Sequence, residues 1–143
     1  MDNQKLANQK RKYAGLKVRL IAHIIDITIL AIVMFSVVKL LKFISYDEFI
    51  ILEEIIGLIL AGFYYVFFTA SSKHGTIGKQ FMGIKVVNEK MQGLSRSHSL
   101  GRYLAYYFSY LTLGIGFLMI YLTKKHTGLH DKIANTYVIY GRS

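Results

Sequence analysis

The sequence predicts an all-α membrane protein: an antiparallel transmembrane helix hairpin, a third apolar segment broken near Gly114 and Gly116, and a small cytoplasmic β element. Three observations lead there. Residues 19–38 are almost wholly apolar, and about 20 residues is what a helix needs to cross a bilayer's hydrocarbon core. Two further apolar stretches follow, with a polar, basic connection between them. Just over half of the 143 residues are apolar and Pro, Cys and Trp are absent, too greasy a composition for a soluble domain with one core.

Residues 1–15 form a basic segment with Lys5, Lys10, Arg11 and Lys12. The apolar stretch behind it is too long, and too charged at Asp26, for a cleaved leader, so a retained anchor is expected. Residues 16–140 read as one transmembrane domain. Helix one is expected over about 16–44. Ser45-Tyr46-Asp47-Glu48 is a capping-box pattern whose acids suit the positive end of a helix dipole, so helix two is expected over about 46–71. Gly57 and Ala61 give it a small-xxx-small face for close approach. Glu53 and Glu54 read as interfacial charges answering Lys39 and Lys42.

The connection spans residues 72–102. Gly75-Thr-Ile-Gly-Lys79 has a superficial likeness to a phosphate loop. That loop needs four residues between Gly and Gly-Lys, then Ser or Thr, so nucleotide binding is rejected. Ile84-Lys-Val-Val87 and Thr136-Tyr-Val-Ile-Tyr140 have strand character and are expected to pair. The third apolar segment covers 103–122, with two glycines at its middle that weaken a helix, and a tail runs over 123–143.

Basic residues flank the first helix and fill the connection, while the hairpin loop is acidic on balance. The positive-inside rule then places the N-terminus and the connection in the cytoplasm of a multi-pass protein of the cell membrane. The tail, with Lys124, Lys125, Lys132 and Arg142, belongs on the same side. The third segment either crosses once, which would put the tail outside against the rule, or breaks and returns, which satisfies it provided protein or water covers the broken backbone.

Arg19, His23 and Asp26, at steps of four and three residues, share one face of helix one. Ionisable groups at such depth rarely persist without a partner or a job. Arg19 either snorkels to headgroups or pairs with Asp131 and ties the tail to the helices. Asp26 either fixes packing through a hydrogen bond or exchanges a proton for a monovalent cation as access alternates. Arg19 and Asp26 are roughly 10 Å apart along the helix, so His23 between them is placed to relay a hydrogen bond. Counting back from the hairpin loop puts Tyr64 and Tyr65 level with Asp26, as hydrogen-bond partners or as packing residues. His130, beside Asp131, joins this set.

Several classes are excluded. Without Cys there are no disulfides or thiolate nucleophiles, and His130-Asp131 has no nucleophile nearby, so neither enzyme nor cofactor is expected. His126 and His130 lack a third ligand, so no metal site is expected. The net charge of +10 lies between and beside apolar segments, which suits anionic lipid headgroups and not nucleic acid. The Lys, Ile and Asn usage points to a bacterial source.

Together, Arg19 and Asp26, Gly75-Thr-Ile-Gly-Lys79 with Gly83-Ile-Lys-Val-Val87, Ser99-Leu-Gly-Arg102, and Asp131 in Leu129-His130-Asp131-Lys132 resemble the RDD family of small integral membrane proteins over roughly residues 13–140. The family's name comes from one arginine and two aspartates, here matched by Arg19, Asp26 and Asp131. The resemblance implies a membrane protein of a kind proposed to move ligands, with some members linked to sodium/proton antiport. Two functions are therefore expected. One is a small transporter or cation/proton exchanger built on Asp26 with Arg19 and Asp131, which needs a homo-oligomer or partner to enclose a pathway. The other is a non-catalytic accessory or regulatory subunit that binds other membrane proteins.

Overall fold

The computed structural model describes residues 13–44, 50–111 and 115–141. The capping pattern at Ser45–Glu48, the basic residues before Tyr13, Gly114 and Arg142 fall outside them. The first helix, α1, spans Leu16–Ile44, and α2 spans Ile50–Ala70. Both are long and apolar enough to cross a membrane. Their Ile- and Val-rich sequences would suit strands in water, but in hydrocarbon a helix is the form in which one segment satisfies all its own backbone groups. Thr28 and Ser36 follow the same logic, their hydroxyls donating to the carbonyls of Ile24 and Ile32 at 2.8 and 2.9 Å.

Helix α1 inverts the pattern of a water-soluble helix. It buries Arg19, Ala22 and Asp26, whereas Ile24, Ile32 and Phe35 are more than 60% exposed. A polar stripe inside and an oily surface outside is the arrangement that lipid, not water, favours. The antiparallel pairing with α2 is marked by Asp26 against Tyr64, Met34 against Gly57, and Lys42 within 3.8 Å of Glu53.

The connection is more structured than its polarity suggested. It contains a short helix, α3 (Ile77–Phe81), then β1 (Ile84–Asn88). The next helix, α4, spans Arg96–Leu111, so it starts seven residues earlier than the apolar segment expected from residue 103. Ser95 explains the difference: its hydroxyl accepts from the His98 amide at 3.3 Å, capping a first turn whose polar residues hydropathy had left in the loop. The residues between 111 and 115 lie outside the described ones, and α5 (Ile115–Leu122) follows them. Gly116 itself lies within α5.

Helix α4 is the main neighbour of α2, where Gly62 faces the Tyr103 ring and Tyr65 stacks on Tyr103 at 5.8 Å. A final short helix, α6 (Leu129–Ile133), precedes β2 (Thr136–Tyr140). Strands β1 and β2 pair antiparallel as the sequence led us to expect, with Val86 opposite Val138. Beneath them Ala14, Ala22, Ile84, Val86, Leu94 and Val138 form the apolar core. Tyr13 bridges to Ile139 at the sheet's edge, which joins the approach to α1 to the tail. Arg102, near the start of α4, and Ile120, near the end of α5, both lie at the Arg19 end of α1. The third segment thus leaves and returns to one end of the helix pair.

Candidate functional site

Two buried carboxylates organise the polar interior. Asp26, 1% exposed, projects from α1 into the junction of α2 and α3. Its Oδ1 accepts from the Tyr64 hydroxyl at 2.6 Å and the Gly78 amide at 2.7 Å, and its Oδ2 accepts from the Thr76 hydroxyl at 2.6 Å. The Ile77 amide in turn donates to the Tyr64 oxygen at 3.1 Å. One side chain therefore fastens three segments. The approach is close because Gly78 has no Cβ, and an added one would stand 2.1 Å from the Ala22 carbonyl oxygen.

Asp131 of α6 is the second. Arg19 lies 2.5 Å from its Oδ2 and Arg102 2.5 Å from its Oδ1, and the Gly128 amide donates to Oδ2 at 3.0 Å. Arg19 also donates to the carbonyls of Ala14 at 3.0 Å and His126 at 2.6 Å, and Arg102 donates to the Thr136 hydroxyl. The tail is thereby bound to α1 and α4. Burial alone raises the Asp131 pKa, but the Arg102 and Arg19 guanidiniums more than reverse this and hold the carboxyl below its ordinary value.

His130 stacks on Tyr106 at 4.0 Å, its Nδ1 lies 3.3 Å from the Ser109 hydroxyl and its Nε2 lies 3.4 Å from Asp131. Burial, helped by the cations Arg102, Arg19 and Lys79, overrides the attraction of Asp131 and pushes its pKa from 6.5 down to about 3. In that interval the unfolded chain binds a proton that the folded one refuses, so stability falls as pH falls from 6.5 towards 3, by up to about 1.4 kcal/mol per pH unit. Asp131 adds to this loss only below its ordinary 3.8, since its folded pKa is depressed. The unfolding midpoint in detergent should decline through this window, and His130→Gln should flatten the decline. A profile the variant leaves unchanged would contradict the assignment.

The structure divides the residues singled out from the sequence between these clusters. Asp26 and Tyr64 belong to the first, and Arg19, His130 and Asp131 to the second. His23 sits between them, with its Nδ1 3.1 Å from the Tyr65 hydroxyl, so Tyr65 partners His23. A cavity of about 50 Å³ separates the clusters, bounded by Arg19, His23, Asp26, Lys79, Tyr106 and His130.

Sequence reasoning missed Thr76, Gly78, Lys79 and Arg102. A signal for the first two was present. The stretch dismissed as a poor phosphate loop does present amide and hydroxyl donors to an anion, but the anion is the chain's own Asp26.

The RDD family model matches residues 13–135. A curated relative, the uncharacterized protein YxaI of Bacillus subtilis (strain 168), is 43% identical over 86 residues, which is 60% of this chain and 56% of that protein. The match thus spans little more than half of that relative's length. No solved structure matches the chain. With the family model covering most of its length and two apolar helices around a buried Arg–Asp framework, the chain belongs to the RDD family of membrane proteins.

Proposed function

We propose that the chain is a non-enzymatic, multi-pass accessory subunit of the cell membrane that binds another membrane protein through its apolar helices. The observation that carries this reading is the closure of both acids. Asp26 accepts three hydrogen bonds and Asp131 lies between two guanidiniums. A carrier carboxylate must shed its partners in every cycle, and shedding these would undock several segments together. The outer lengths of α1 and α2, where Ile32, Phe35, Phe43, Ile51 and Ile59 are exposed, are left for lipid and for a partner's helix. The return of α4 and α5 to the Arg19 end supports a tail on the same, cytoplasmic side as the N-terminus. Exposed Lys17, Lys124, Lys125 and Lys132 would meet anionic headgroups there.

Cation/proton exchange through Asp26 is the second reading, favoured by the cavity that Asp26 shares with His23. Liposomes holding only this protein and an internal pH dye separate the two. Under an imposed sodium or potassium gradient, the wild type and Asp26→Asn should show the same absence of coupled proton flux. Flux that Asp26→Asn abolishes without unfolding the protein would replace the accessory reading with exchange. A photocrosslinker at Phe35 is expected to trap one discrete second protein in native membranes, and adducts of this chain alone would point instead to a homo-oligomer.

A further inference from the structure

Lys79 is out of balance with its surroundings. It is 7% exposed and lines the cavity between the two carboxylate clusters. Among the described residues no carboxylate comes within ion-pair distance of its ammonium, whose contact is with the face of the Tyr65 ring, 5.8 Å from the centroid. The two buried acids are occupied, Asp131 by Arg19 and Arg102 and Asp26 by its three donors. Three buried cations thus face two carboxylates. An uncompensated charge in a low-dielectric interior is costly, and the neighbouring cations make it more so.

We propose that this cavity binds a small monovalent anion of the halide or formate class, held by Lys79 with Arg19, His23 and Tyr106 around it. One missing negative charge calls for a monovalent ion, because a divalent oxyanion would bring a second charge with no cation to meet it. The size agrees. About 50 Å³ is several times the room one water molecule needs, enough for chloride or formate but not for a larger organic acid. Arg19, His23 and Tyr106 line the same space as Lys79, and Asp26, which also borders it, is held by its own three donors. The site requires neither an accessory nor an exchange role for the chain.

Chloride is the probe. Purified protein in detergent, held at constant ionic strength by exchanging gluconate for chloride, should unfold at a midpoint that rises with chloride, as binding to the folded state alone demands. The chloride-35 resonance should broaden saturably with protein, with formate competing and sulfate not. Lys79→Gln should weaken chloride by roughly tenfold or more, while Lys79→Arg and the exposed-site control Lys90→Gln retain it. A wild type whose midpoint ignores chloride and shows no saturable broadening overturns the proposal, because Lys79 is then accommodated without an anion. Binding that survives unchanged in Lys79→Gln overturns it as well. Should that variant fail to fold, the two wild-type measurements and sulfate's failure to compete still decide the matter.

Discussion

Asp131→Ala is expected to destabilise the protein by about 3–5 kcal/mol, a large part of the stability of a domain this size. The loss comes less from the missing bonds than from what stays behind. Arg19 and Arg102, 8% and 3% exposed, would remain in the interior with no carboxylate between them. Size-exclusion profiles and unfolding in detergent should show little folded variant. Asp131→Asn preserves the shape and removes the charge, so it should be nearly as damaging. Adding Arg19→Ala to Asp131→Ala should cost less than the sum of the two changes, because it removes one of the stranded cations. Strict additivity would contradict the clasp.

Gly78→Ala is the second large effect. The new methyl would collide with the Ala22 carbonyl at 2.1 Å and with Asp26 Oδ1 at 2.8 Å. The first belongs to the backbone of a long helix and has nowhere to go. Helix α3 must lift instead, and the Thr76 and Gly78 bonds to Asp26 are lost together, leaving the Tyr64 hydroxyl as the last of the three donors to a buried carboxylate. A cost of about 3 kcal/mol or more follows from overpacking and the stranded acceptor. Hydrogen exchange provides a local readout: the Gly78 amide, bonded to Asp26 in the wild type, should lose its protection. Gly101→Ala is the contrast, since a Cβ there meets nothing within 4 Å and a helix gains from alanine. It should be neutral or mildly stabilising.

The fold was legible wherever hydrophobicity or β-branching repeats over many residues. The long apolar stretch forms α1 and the two strands lie where the sequence put them, because a bilayer's thickness and a pleat's alternation leave little choice. The start of α4 was hidden, because its first four residues are polar and the Ser95 cap is what marks them. Of the polar framework, the depth argument singled out Arg19 and Asp26, while Asp131 came from the family resemblance and from the expected cytoplasmic side of the tail. Depth says that a charge needs company but not which residues provide it. Thr76, Gly78 and Arg102 are brought in by the folding of the connection, 50 or more residues from Asp26 and about 30 from Asp131 along the chain. No local pattern records such distances. Lys79 was obscured by its place in a motif whose most familiar use is phosphate binding.

The clasp at Arg19 has a consequence for biosynthesis. Its counterion lies 112 residues downstream, so α1 enters the bilayer well before Asp131 has been translated. At about 5–20 residues per second the guanidinium waits for on the order of ten seconds. Through that interval the newborn helix depends on headgroups, water or the insertion machinery for temporary neutralisation. A chain that terminates ahead of position 131 never escapes that dependence, which marks it for disposal by the membrane's quality-control proteases.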